Sequence, residues 1–115
     1  MHELSLAQSL VEQIQSAAAA ENAVRVLRIV VEIGPYAGVE TVAFEFAFPF
    51  AAEDTLAADA ELVVEEVPAM VECDACRATS RCEPTRLICP ACGSDRVEIR
   101  GGHEFLIRAI ELEIA

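Results

Sequence analysis

Four of the five cysteines fall in two matched pairs, Cys73-Asp74-Ala75-Cys76 and Cys89-Pro90-Ala91-Cys92, with twelve residues between them. Two tight turns of this kind can each present two thiolates to one tetrahedral ion, and zinc is the default occupant of such a set. Four protein ligands leave no position open to water. The spacing therefore predicts a structural zinc site that holds an insert of about thirty residues, too small to fold on a core of its own. A redox dithiol needs only one such pair, and an iron–sulfur cluster usually shows other spacings. Glycine follows the second pair at Gly93, where a left-handed backbone turns N–H groups toward sulfur, whereas the first pair is followed by Arg77. The first turn is thus expected to be the looser one. The fifth cysteine, Cys82, is read as a bystander thiol, with exchange into the zinc site as the alternative.

A second set of donors lies at the other end of the chain, in Met1-His2-Glu3. With histidine at position two, the free α-amine, the His2 amide nitrogen and the imidazole can close fused small chelate rings on one ion. Glu3 can add a backbone nitrogen or a carboxylate oxygen. Such a tetragonal N,O set suits Ni(II) or Cu(II), and its need for deprotonated donors makes binding weaken as pH falls through the histidine range. The competing reading is a solvated terminal histidine with no metal.

The remainder of the sequence limits what these donors can serve. The chain has 115 residues, enough for one core plus a stapled appendage. Twenty acidic side chains oppose eight basic ones, all arginine, for a formal charge of −12. That balance excludes a surface built for nucleic acid or anionic lipid and favours metal ions or cationic partners, or else simply serves solubility. No run approaches the roughly 18 apolar residues of a membrane span, and no basic region precedes an apolar stretch at the N-terminus. A soluble, cytoplasmic protein is expected. With only His2 and His103 as histidines and no phosphate-binding glycine motif, the chain offers no catalytic constellation, and it is not expected to be an enzyme.

The elements that must carry the donors follow from periodicity. Leu6, Leu10, Ile14 and Ala17 predict an amphipathic helix from Ser5, its N-cap, to about Ala20, with His2 and Glu3 ahead of the first turn. Alternation predicts strands over 24–33, 61–67 and 105–114. The stretch 39–50 fits two periods, strand by Val42, Phe44, Phe46, Phe48 and Phe50, helix by Val39, Val42, Ala43, Phe46 and Phe50, and alternation is slightly the better match. The cysteine-rich stretch, Glu72 to about Ile99, then reads as an excursion from one sheet.

Several segments together resemble one family. Met1-His2-Glu3-Leu4-Ser5-Leu6-Ala7, Val31-Glu32-Ile33-Gly34 with Val39-Glu40, the two cysteine pairs with Gly93-Ser94, and Gly102-His103-Glu104-Phe105 are similar to the HypA/HybF nickel metallochaperones of [NiFe]-hydrogenase maturation. The resemblance implies an α+β fold of two helices on a three-stranded sheet with an inserted zinc-ribbon-like domain built on four cysteines. It assigns 1–69 plus 100–115 to the nickel-binding domain and 70–99 to the zinc domain, and makes 39–50 the second helix, with Pro49 at its C-terminal end. It implies nickel held by Met1, His2 and Glu3 with the acidic Glu40 nearby, and zinc held by Cys73, Cys76, Cys89 and Cys92. The implied partners are a nickel-insertion GTPase and the hydrogenase large-subunit precursor, with a homodimer left open. Two rival readings use the cysteines alone: a zinc-ribbon interaction module of transcription or translation machinery, and a thiol redox protein built on Cys82.

Overall fold

In the computed structural model, which describes residues 2–115, the first helix begins earlier than its expected cap. Helix α1 runs His2–Ala20 and buries Ala7, Leu10, Val11, Ile14 and Ala18. The buried stripe passes through Ala18 instead of Ala17, as a 3.6-residue period continued from Ile14 requires. His2 and Glu3 are therefore in the first turn and Ser5 is not a cap. The helix closes when Asn22 takes a left-handed φ of 53° and donates its N–H to the Ala19 carbonyl at 3.1 Å.

Strand β1, Ala23–Ile33, follows directly. Val26, Ile29, Val30 and Val31 are all buried, so both faces of its second half are covered, as befits the centre of a sheet. Its neighbours are β2, Glu61–Glu66, and the last strand, Phe105–Ile114, in the order β2-β1-last strand. Arg28 on β1 lies 3.3 Å from Glu61 and 3.4 Å from Glu111, and Arg108 grips Glu65 through two hydrogen bonds of 2.7 and 3.0 Å. These exposed pairs favour the register and add little stability each.

Residues 39–50 are resolved by the fold as helical. Helix α2 spans Thr41–Ala52 and buries Phe44, Ala47, Phe48 and Ala52. The alternating phenylalanines suited a strand equally well, but packing α2 against α1 buries only those on one helical face. Pro49 lies inside this helix, in its last turns. It removes the N–H that would have met the Glu45 carbonyl and leaves the first two turns intact.

The described residues divide into two units. One comprises 2–31, 39–65 and 106–115, with the two helices and most of the sheet just described. The other comprises 32–38 and 66–105. Its own sheet consists of β3, Ala69–Cys73, β4, Thr79–Cys82, and β5, Val97–Gly101, in the order β4-β3-β5 with both pairings antiparallel. The closing strand of the larger sheet is accordingly β6. Within the second unit Gly34 donates to the Glu104 carbonyl at 2.7 Å and Tyr36 to the Gly102 carbonyl at 2.6 Å. A Cβ on Gly34 would overlap the Gly102 carbonyl, so only glycine permits this approach.

Candidate metal centres

Strand β3 ends at Cys73, and the chain turns immediately into the first cysteine loop. The Cys73 N–H bonds to the Ala78 carbonyl at 2.9 Å, and the Arg77 N–H returns to the Cys73 carbonyl at 2.9 Å. The second loop repeats this pattern, with Cys89 N–H to Ser94 carbonyl at 2.8 Å and Gly93 N–H to Cys89 carbonyl at 2.7 Å. Arg77 has φ 66° where Gly93 has φ 80°. The first turn is thus as closely formed as the second, contrary to the expectation from its missing glycine. Arginine there is held left-handed by the same backbone bonds, at a conformational cost of roughly 1–2 kcal/mol.

Together the two loops gather the sulfurs of Cys73, Cys76, Cys89 and Cys92 within 4.8 Å of one another. Cys73 lies 3.6 Å from Cys92 and Cys76 lies 3.6 Å from Cys89. A tetrahedral zinc–thiolate centre with bonds of about 2.3 Å has S···S edges of about 3.8 Å, so the spacing suits such an ion. Cys73 and Cys89 are buried and Cys76 and Cys92 exposed. Backbone N–H groups aimed at sulfur, first that of Cys76, lower the Cys73 thiol to about 7. The Cys92 N–H acts in the same direction on Cys89, lowering its thiol below the ordinary value. At Cys92 the Ser94 N–H favours the thiolate, but the neighbouring Cys73 sulfur, burial and the remaining thiols outweigh it and push the group up to about 12. Cys73 and Cys89 therefore ionise first and Cys92 last, and a bound divalent cation would displace whichever thiol protons remain.

Cys82 lies outside this group, at the end of β4 opposite Ala69 on β3. His103 is exposed, its ring 5.5 Å from that of Tyr36. The Tyr36 hydroxyl donates to the Pro84 carbonyl at 2.7 Å. The sequence carried no signal for Tyr36 as an anchor of this unit.

The N-terminal donors are arranged differently. Met1 lies outside the described residues. His2 is exposed at the start of α1, and Glu3 follows in the first turn. The Glu40 backbone N–H donates to a Glu3 carboxylate oxygen at 3.2 Å, and this bond holds the Glu3 carboxyl below its ordinary value. Glu40 is also the N-cap of α2: its carboxylate accepts from the Val42 N–H at 3.4 Å and the Ala43 N–H at 2.8 Å. Glutamate is not a favoured cap, which is why the sequence did not disclose this role. Among the described residues, His2, Glu3 and Glu40 do not form a second group as tight as the four cysteines. The start of α1 at His2 still has a chemical consequence. The first four N–H groups of a helix have no partner within it, so the His2 and Glu3 amides can lose a proton to solvent and ligate a metal without breaking a helical bond.

A two-unit α+β chain with a close cluster of four cysteines and an ionised carboxylate in the first turn of α1 is equipped by its donors to handle metal ions. Residues 1–112 match the family described as hydrogenase/urease nickel incorporation, metallochaperone, HypA, and the chain belongs to that family. It is 41% identical over 113 residues to the hydrogenase maturation factor HypA of Chlorobium limicola, covering 98% of this chain and 97% of that one. The HypA of Aquifex aeolicus is 38% identical over 114 residues, covering 99% of each. The solution structure of the Ni metallochaperone HypA from Helicobacter pylori superposes with a TM-score of 0.70 at 26% identity over 98% of both chains. The match includes the N-terminal residues as well as the cysteine pairs, and a reading based on the zinc ribbon alone is set aside.

Proposed function

We propose that this chain carries Ni(II) on its N-terminal residues and delivers it to the precursor of a [NiFe]-hydrogenase large subunit, working with a nickel-insertion GTPase in the cytoplasm. No described helix is long and apolar enough to cross a membrane. The Met1 amine, the His2 amide and imidazole and a Glu3 donor make up the nickel set, and Glu40 acts beside them by fixing Glu3. Cys73, Cys76, Cys89 and Cys92 hold one zinc, which fastens the second unit and takes no part in transfer. The role is that of a carrier and not of an enzyme.

The observation that carries the reading is the Glu40 N–H bond to Glu3, which links residues 37 apart in sequence and presents an ionised carboxylate beside His2. Nickel titration of the native chain, of a chain with one residue added before Met1, and of His2→Ala tests it. The extension moves the amine out of the small chelate ring with the His2 amide. Both altered chains should bind nickel at least 100-fold more weakly while keeping their zinc. Equal affinity in the extended chain would overturn the N-terminal site.

A further inference from the structure

Helix α2 leaves one face uncovered. Val42, Phe46 and Phe50 recur every four residues and are 70%, 74% and 62% exposed, and the rings of Phe46 and Phe50 contact each other at 5.7 Å. The same helix buries Phe44 and Phe48 on its other side, so the exposed rings are not needed for its core. By helical geometry Glu45, Pro49 and Glu53 lie on the exposed arc with them. Two phenylalanines and a valine in one stripe present an apolar area of a few hundred Å², enough for the centre of an interface but less than the roughly 800 Å² per partner of a stable complex. A polar surrounding must supply the rest, and here that surrounding has one sign. The stretch 39–65 of the same unit has seven Asp and Glu and no Arg or Lys, and among the described residues only Glu61 and Glu65 of these are paired, to Arg28 and Arg108.

From this we infer that the exposed face of α2 is a docking surface for a protein partner that presents an apolar socket ringed by arginine or lysine side chains. The two aromatic rings fill the socket, and Glu45 and Glu53 meet the basic rim. A second copy of this chain suits the surface poorly, since it would bring the same acidic rim into contact with itself. The stripe starts two residues after the Glu40 cap, whose carboxylate holds the Val42 N–H, so a docked partner stands next to the residue that fixes Glu3. In this the inference rests on the nickel-carrier reading and identifies the surface at which transfer is arranged.

The test titrates the full chain with two purified probes from the same organism, the nickel-insertion GTPase and the hydrogenase large-subunit precursor. The parent is compared with Phe46→Ser/Phe50→Ser and with Glu45→Arg/Glu53→Arg. Circular dichroism, zinc content and nickel affinity verify that each variant is folded and loaded. Binding of at least one probe should weaken tenfold or more in the phenylalanine variant. It should weaken less in the charge-reversed variant and should fall with added salt in the parent. Binding that survives loss of both rings overturns the proposal. So does a concentration-dependent dimer of the parent, abolished by Phe46→Ser/Phe50→Ser, because the occupant would then be a second copy. Absence of binding by either probe to the parent also overturns it. If the parent in that case still binds nickel, the carrier reading stands without the docking surface, whereas loss of both would remove the two together.

Discussion

The cysteine cluster and the proposed N-terminal nickel donors represent two opposite ways of holding a metal. In the cluster, two loops with the same hydrogen bonds hold four sulfurs at nearly tetrahedral spacing. At the N-terminus, the donors belong to consecutive residues at a helix start, and the one acidic neighbour from elsewhere in the chain is already engaged as a cap. Four ligands from two hydrogen-bonded loops favour retention, because every ligand must be displaced against a rigid frame. Donors on a chain end can be taken one at a time by a competing set, which favours transfer.

The largest effect expected from this contrast is at the cluster. Cys89→Ser should abolish stoichiometric zinc and, since binding free energies of about 10–16 kcal/mol are folding free energy in small zinc modules, should remove hydrogen-exchange protection across 70–100. Cys82→Ser should retain zinc. Uniform loosening of α1, α2 and β1 in the Cys89 variant would contradict a local role.

Next comes the dual position of Glu40. Glu40→Ala should lose the α2 cap, at about 1 kcal/mol of stability, and weaken nickel binding several-fold. Glu40→Asn preserves a side-chain oxygen for the cap while removing the charge, and asparagine is among the best caps. Recovery of both stability and nickel affinity in Glu40→Asn is expected. Recovery of stability alone would make Glu40 a ligand.

The two cysteine loops can be compared directly by exchanging their left-handed residues. Gly93→Ala should destabilise the zinc-loaded chain by about 1 kcal/mol, since a Cβ is disfavoured at φ 80° although open space surrounds it. Arg77→Gly should be stabilising by a fraction of that, because relief at φ 66° is offset by greater freedom of the unfolded chain. Chelator-dependent thermal unfolding measures both.

The smallest effect concerns protonation of Glu3. Its carboxyl is depressed below the ordinary value by the Glu40 N–H, so its contribution to stability is complete above that ordinary value and is lost as pH falls through the folded one. Melting from about pH 7 to about pH 3 should be slightly less acid-sensitive in Glu3→Gln than in the parent. Identical profiles would mean that the bond does not operate in solution.

Some of this organisation was legible along the chain. Cys73, Cys76, Cys89 and Cys92 announce a shared ion because each pair is close in sequence and a tight turn converts that closeness into sulfur geometry. Strands 24–33, 61–67 and 105–114 emerge within a residue of β1, β2 and β6, since half-buried alternation is a local property. The stretch 39–50 did not, because Phe44, Phe46, Phe48 and Phe50 satisfy either period and only the face offered to α1 discriminates. The small sheet of β3, β4 and β5 also went unread, because β3 and β5 alternate over only five residues each and β4 is four mostly polar residues, too short for a period to stand out.

The donor types, their spacing and the excess of acid are properties of the sequence alone, and they restrict the chemistry to metal binding without any reference to a fold. Tertiary structure decided the remainder: that Arg77 adopts a glycine's conformation, that α1 begins at His2, and that Glu40 caps α2 while its N–H holds Glu3. Each depends on backbone groups brought together by packing, and a hydrogen bond between residues 37 apart is visible only when the chain has closed on itself.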